Sequence, residues 1–336
     1  MEEKITLIII LHNRHINLDR LLDYYRDEKC NIIIADSSKE QHLFKTKLPL
    51  TVQYIYTPGL SYTQKVEHVL GEVTTAYTAL CADDDFTVPG GLYACASFLE
   101  SNHDYSAAQG TILRYYKDTI DGNIRIDLLY DGDHSLTSTD ARERIQKLFH
   151  PYKSLLYALH RTAVLQDAFN NAGKAFRNLY LNEYLTSIVP VLKGKTKDLP
   201  VLFQVREHAE TSDDKTAENL DIILKDKKYH EELVNFLDHI VEKGAGSVNI
   251  DKGQLKELVH KTLADYGRKI ESFKTIPVGF KKKVGKFILK VPFLGKKYVD
   301  NRRYKESMAS LEKKITGKDL EHIALISTLL KKYRNL

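Results

Sequence analysis

The chain has 336 residues, which is enough for one large domain and a smaller addition. Hydrophobic residues make up 43% and charged residues 28%, so the composition excludes a disordered chain and is typical of a globular protein. The formal net charge of +5 is mild, and no segment approaches the roughly 20 consecutive apolar residues of a membrane span.

The N-terminal third predicts alternating strands and helices. Four apolar runs are typical of strands that are covered on both faces: 5–11, 31–36, 52–56 and 76–82. Helical spacing of apolar residues predicts a helix capped by Asn17, a second over 61–70 and a third that begins at Pro89. This alternation predicts an α/β fold with a mostly parallel, doubly wound sheet flanked by helices.

The middle of the chain is largely helical in pattern and ends in a strand. We predict strands over 106–116 and 198–205 and helices over 140–149, 162–173 and 179–192. Polar residues take over at Glu210, so we place a domain boundary there. The chain is thereby divided into a domain of residues 1–209 and a helical C-terminal region of residues 210–336.

Residues 274–305 form a basic, amphipathic segment within that C-terminal region. Lysine and arginine alternate with apolar residues, and Asp300 is the only acid. The segment could bind an anionic membrane surface, bind nucleic acid or form a solvated helical face. No stacking platform or nucleic-acid-binding fold accompanies it, so we expect no nucleic-acid partner and favour the membrane surface.

The cysteines and the N-terminus indicate a cytoplasmic protein. Cys30, Cys81 and Cys95 lie in apolar surroundings without a CxxC spacing, which is typical of reduced core residues. The first residues lack the positive region and the cleavage site of a secretory signal peptide.

Acidic side chains follow the predicted strand over 76–82. Asp83, Asp84 and Asp85 would repel one another unless a cation or solvent relieved them. Ligands of open α/β sheets bind at the carboxyl ends of strands, and Mg²⁺ prefers a few carboxylates together with substrate phosphates. The glycine fingerprint of dinucleotide-binding proteins and the Walker lysine loop are both absent, which favours a metal–diphosphate site. Strand alternation points Asp84 away from its neighbours and favours Asp83 and Asp85.

Five motifs over residues 4–208 resemble, in their order, GT-A glycosyltransferases of the inverting, family-2-like kind, including bacterial polysaccharide and cell-surface members. The motifs are Asn13-Arg14, Asp36-Ser37-Ser38, Asp83-Asp84-Asp85, Pro89-Gly90-Gly91-Leu92 and Asn182-Glu183. Two departures stand out. The family's Glu-Asp pair is Asn-Glu here, and the Arg-Asn of the helix before the metal motif is missing, with Gln64-Lys65 nearby instead.

The resemblance implies a GT-A fold, a nucleotide-sugar donor such as a UDP-sugar, and Mn²⁺ or Mg²⁺. It implies that Glu183 is the catalytic base, and that the metal ligands are Asp83, Asp85 and His208. The implied donor-binding residues are Asn13, Arg14, Asp36, Lys65, Asp83, Asp84 and Arg206. The acceptor would be a hydroxyl of a glycan or of a lipid-linked molecule, which would place the protein peripherally at the inner face of the cytoplasmic membrane.

Other interpretations stay open. A sugar-1-phosphate nucleotidyltransferase shares the sheet and the paired acids, although its glycine-rich, arginine-containing loop is absent here. A sugar-binding or membrane scaffold with a degenerate transferase core is a further alternative. Asp36 could be a turn residue, and Glu183, Arg206 and His208 could be surface residues without a ligand.

Overall fold

The computed structural model describes residues 1–44, 47–117, 124–130, 132–208, 220–275 and 317–333. Within these ranges the strands are β1 Ile5–Leu11, β2 Asn31–Asp36, β3 Val52–Tyr56, β4 Tyr77–Ala82, β5 Phe86–Thr87, β6 Tyr105–Lys117, β7 Ile124–Leu128, β8 Leu159–Arg161 and β9 Lys195–Glu207. The α-helices are α1 His15–Tyr24, α2 Tyr62–Leu70, α3 Pro89–Ser101, α4 Ala141–Leu148, α5 Thr162–Phe169, α6 Ala172–Ala175, α7 Leu179–Lys193, α8 Leu220–Lys225, α9 His230–Gly244, α10 Lys252–Thr275 and α11 Gly317–Lys332.

One mixed sheet runs through the described residues in the order β3-β2-β1-β4-β8-β6-β9-β5, with β7 paired to β6. The pairs β1–β2, β1–β4, β2–β3 and β6–β9 are parallel. The antiparallel pairs all involve the short strands β5, β7 and β8. The sheet is therefore parallel among its long strands, as predicted, but the short strands make it mixed.

The parallel half positions the functional edge. Every residue of β1 is buried, because helices cover both faces of the strand. Leu11 of β1 is in register with Asp36 of β2, and Ile10 is in register with Ala82 of β4. The residues that follow these three strands therefore leave the sheet at one edge.

Most predicted elements are confirmed, and two helix predictions were wrong in detail. Helix α1 begins at His15 with Arg14 as its N-cap, so Asn17 lies inside the helix and does not cap it. The predicted helix over 162–173 is two helices, because Asn171 takes a left-handed backbone conformation with φ 66° and interrupts it.

The described part of the C-terminal region is helical. Helices α8 to α10 pack against the domain around α4 and α7, while α11 packs on α1. In that second contact Ile326 is fully buried, and the Lys332 amine lies 2.5 Å from Asp23. Residues 209–219 and 276–316, which include the boundary at Glu210 and most of the basic segment, lie outside the described residues. Over the described ranges, no helix has the length and apolar character needed to cross a bilayer.

Candidate functional site

A pocket of about 650 Å³ opens at the carboxyl edge of β1, β2 and β4. One side is formed by residues that follow these strands and by the end of β9, and the other by the start of α2, the segment around Tyr157 and the start of α7. Its charged and histidine residues are His12, Arg14, Lys65, Asp84, Asp85, Glu183, Arg206, Glu207 and His208. Its apolar and aromatic residues include Leu60, Tyr62, Leu156, Tyr157, Leu179 and Tyr180.

The three adjacent acids lie in a turn, because β4 ends at Ala82. Asp84 and Asp85 line the pocket, whereas the Asp83 side chain is fully buried beside it. The strand-alternation argument that turned Asp84 away was therefore wrong, since alternation stops where the extended backbone stops.

Arg14 binds two of the acids at once. Its guanidinium lies 2.5 Å from Asp83 Oδ1 and 2.8 Å from Asp84 Oδ2. Burial raises the pKa of Asp83 to about 6 against the opposing effect of Arg14, and Asp84 raises it further. Arg20, which the sequence did not single out, donates to the Asp84 carbonyl at 3.1 Å and thereby also stabilises this turn.

Asp85 joins the turn to the end of β9. Its Oδ1 accepts the Glu207 N–H at 2.9 Å, and its Oδ2 accepts from Arg206 Nε at 3.1 Å. Burial raises the pKa of Asp85 to about 7, although Arg206 acts in the opposite direction. Cζ of the Arg206 guanidinium also lies 5.0 Å from the centre of the Tyr157 ring, so this cation contacts both Asp85 and an aromatic residue of the pocket.

Lys65 is a buried cation at the pocket wall. Its amine donates to the Leu11 carbonyl at 2.7 Å and to Ser37 Oγ at 2.9 Å. Only 2% of the residue is exposed, and burial lowers its pKa to about 8 even though Asp36 and Asp83 raise it. No carboxylate forms an ion pair with this amine among the described contacts. An anionic ligand in the pocket would supply the missing negative charge.

Besides Asp83, two predicted donor-binding residues are not among the residues that line the pocket. Asp36 is fully buried, and its carboxylate accepts from the Ser38 N–H at 2.7 Å and from the Tyr54 hydroxyl at 2.6 Å. Asn13 has a left-handed backbone with φ 56°, and its amide oxygen accepts the Lys39 N–H at 2.9 Å. Asn13 thereby joins the loop after β1 to the loop after β2, and Asp36 joins the end of β2 to β3.

Glu183 and His208 reach the pocket from outside the parallel half. Glu183 lies in α7 and lines the pocket. Burial raises the pKa values of Tyr62 and Tyr184, and the negative charge of Glu183 raises them further. His208 follows β9, and its ring lies 4.6 Å from that of Tyr116. The fold thus brings Arg14, Lys65, Asp84, Asp85, Glu183, Arg206 and His208 together around one pocket. The aromatic residues Tyr157 and Tyr180 also line the pocket, but nothing in their spacing along the sequence distinguishes them from packing residues.

The carboxylates could take part in a metal site together with a substrate. Among the residues that the structure describes, no group of three histidine, cysteine, aspartate or glutamate side chains could hold a metal ion by itself. Mg²⁺ needs only one or two carboxylates when substrate phosphates and water complete its shell. Asp84, Asp85 and His208 line the same pocket, and one or two of them would suffice beside a bound diphosphate, whereas Asp83 faces Arg14 outside it.

Two solved structures of S. aureus TarS are similar to this chain. Crystal structures of TarS 1–349 alone and in complex with UDP-GlcNAc match with TM-scores of 0.50 and 0.51 at 13% and 14% identity. Each match covers 99% of this chain, and the matches cover 91% and 92% of the respective TarS chains. No protein-family model matches the sequence, and the search of curated proteins finds no match either. The similarity confirms the predicted GT-A fold with its helical C-terminal region.

Proposed function

We propose that the chain is a glycosyltransferase that moves a sugar from a UDP-sugar to a hydroxyl of a glycan or lipid-linked acceptor, with inversion at the anomeric carbon. The observation that carries the proposal is the composition of the pocket. Arg14, Lys65 and Arg206 provide positive charge, and Asp84 and Asp85 provide carboxylates at the strand edge where α/β sheets bind ligands. The complex of the similar TarS with UDP-GlcNAc supports a nucleotide-sugar donor.

The donor half of the pocket consists of the cations and the acid turn. Lys65 and Arg206 line the pocket, and their positively charged side chains can donate hydrogen bonds to a diphosphate. Asp85, with Asp84 and His208, would hold Mn²⁺ or Mg²⁺. When bound, the metal would act as a Lewis acid that neutralises the leaving diphosphate. We assign base recognition to Asp36, which requires the loops around it to admit the base.

The acceptor half contains Glu183, which we propose as the general base. The acceptor hydroxyl loses its proton to the Glu183 carboxylate as its oxygen forms a bond to the anomeric carbon. The bond from that carbon to the diphosphate oxygen breaks, and its electron pair leaves with the diphosphate. A single base opposite the leaving group gives inversion. Helix α7 is mostly buried, so it holds Glu183 on a rigid element.

We also propose that the protein acts in the cytoplasm at an anionic membrane surface. The support is the alternation of basic and apolar residues in 274–305. A lipid-linked acceptor would be accessible from such a position.

Isothermal titration with UDP, with and without Mn²⁺, tests the donor site. We expect Mn²⁺-dependent binding in the wild type and in Glu183→Gln, and its loss in Asp85→Asn. Asp104→Asn is the matched control, because Asp104 is exposed and pairs with Lys195 away from the pocket. Circular dichroism establishes that each variant is folded.

Turnover separates the alternatives. A transferase should release UDP from one member of a panel of nucleotide sugars, and Glu183→Gln should lower transfer by about 10²–10⁴-fold while donor binding persists. A nucleotidyltransferase would instead release pyrophosphate from a nucleoside triphosphate and a sugar 1-phosphate. A scaffold would show no Mn²⁺-dependent UDP binding. Either of these last two results would overturn the proposal.

A further inference from the structure

Tyr62 is presented to the pocket by a rigid local structure. It is the first residue of α2, and Ser61 forms a capping box with Gln64 at the start of that helix. The Ser61 N–H donates to Gln64 Oε1 at 3.1 Å, and the Gln64 N–H donates to Ser61 Oγ at 3.4 Å. These reciprocal bonds fix the first helical turn and hence the direction of the Tyr62 side chain.

The Tyr62 hydroxyl is buried and has no hydrogen-bond partner among the described residues. A buried hydroxyl without a partner is unfavourable, and tyrosine hydroxyls in protein interiors usually find one. Phenylalanine would fill the same space without this cost. Packing therefore does not explain the hydroxyl, and a ligand that reaches it from the pocket that Tyr62 lines would supply the missing partner.

The surroundings of Tyr62 indicate the chemistry of that ligand. Tyr62 lines the same pocket as Glu183, and the Glu183 carboxylate raises the pKa of Tyr62 in addition to the larger effect of burial. Leu60, Tyr157 and Tyr180 extend this side of the pocket as an apolar wall, and Leu179 at its edge is 40% exposed. Sugar rings combine apolar faces with hydroxyl groups on neighbouring carbons, which suits an aromatic wall beside two polar groups.

We propose that Tyr62 binds a second hydroxyl of the acceptor, next to the hydroxyl that Glu183 deprotonates, so that the acceptor is a sugar or another vicinal diol. This inference rests on the proposed glycosyl transfer. Tyr62 is a positioning residue: its O–H donates to the neighbouring hydroxyl and thereby aligns the reacting oxygen with the anomeric carbon. Water has no second hydroxyl, so donor hydrolysis does not need this contact.

The variant Tyr62→Phe tests the inference, because it removes only the unpartnered hydroxyl. The probes are the nucleotide sugar of the panel that the wild type hydrolyses fastest, as donor, and an array of para-nitrophenyl glycosides as acceptors, with hydrolysis and transfer measured in the same reaction. We expect transfer to fall by about tenfold, the worth of one neutral hydrogen bond, mainly through acceptor KM. Donor hydrolysis should stay within about twofold. The thermal midpoint should stay equal or rise by about 2–4 °C, because an unpaired buried hydroxyl is lost.

The control is Tyr93→Phe, whose hydroxyl donates to Glu28 at 2.6 Å outside the pocket. It should lower the thermal midpoint slightly and leave the ratio of transfer to hydrolysis unchanged. Equal transfer by Tyr62→Phe and the wild type would overturn the inference, and so would a lower thermal midpoint that accounts for lost activity. A third result would also overturn the inference: the wild type hydrolyses the donor, but none of the glycosides accepts a sugar and none of them slows the hydrolysis. Absence of both donor binding and hydrolysis in the wild type would instead refute the proposed function itself.

Discussion

Replacing Lys65 with methionine should strengthen the fold and weaken the donor site at the same time. The lysine is buried, and among the described contacts its amine donates to the Leu11 carbonyl and to Ser37 Oγ but forms no ion pair with a carboxylate. Burial lowers its pKa from the ordinary 10.5 to about 8, a difference that corresponds to about 3 kcal/mol of lost stability for the charged form. Loss of the two hydrogen bonds to Leu11 and Ser37 offsets part of the gain, so we expect Lys65→Met to be about 1–2 kcal/mol more stable at pH 7.

The dependence on pH has a definite sign. Because the folded-state pKa of Lys65 is the lower one, the unfolded chain binds more protons between pH 8 and 10.5, and the wild type gains stability as pH rises through that window. Below about pH 8 the full cost of the charged amine is present. The advantage of Lys65→Met should therefore be constant below pH 8 and should shrink above it.

Chemical denaturation at pH 7 and 9.5, together with UDP titration, measures both effects. We expect UDP to bind about 10–100-fold more weakly in Lys65→Met, since a hydrogen bond to a charged group is lost. Lys153→Met is the matched control, because Lys153 is equally buried but pairs with Asp198 at 2.6 Å. That control should be destabilised by about 3–5 kcal/mol. A destabilised Lys65→Met, or unchanged UDP binding, would refute the reasoning.

Two further predictions concern acid and membranes. His160 is fully buried, and burial lowers its pKa from 6.5 to about 4. Stability should therefore fall by about 3 kcal/mol as pH drops from 6.5 towards 4, because only the unfolded chain takes up the proton. His160→Gln should lose most of this dependence in denaturation curves, and a parallel dependence would assign it to other groups. Replacing the lysines and arginines of 281–305 with glutamine should abolish co-sedimentation with phosphatidylglycerol vesicles, and unchanged co-sedimentation would argue against membrane binding. Substitution is preferable to deletion, because truncation would remove α11 and its buried Ile326.

The parallel half of the fold is largely legible from the sequence. Strands β1, β2 and β4 are apolar on both faces because helices cover both, and such runs stand out without any knowledge of their partners. Pro89 and Ser61 mark helix starts by local chemistry alone. The motifs at the ends of these strands predicted the GT-A fold.

The short strands could not be predicted in this way. Strand β8 has three residues, and it exists because it pairs with β4 on one side and with β6 on the other. Strand β5 has two residues and is held by β9, which lies far along the chain. No local pattern of so few residues distinguishes a strand from a loop.

The sequence by itself determined which residues carry charge at the strand ends, and from these charges it predicted a metal–diphosphate site. Only the tertiary structure decided how they are arranged. It placed Asp84 in the pocket and Asp83 against Arg14, because the backbone turns after Ala82 and strand alternation ends there. It joined Asp85 to Arg206, and it brought Tyr62 and Glu183 to the lining of one pocket. Those contacts link residues that are distant in the chain, and their geometry depends on the packing of the whole sheet and its helices.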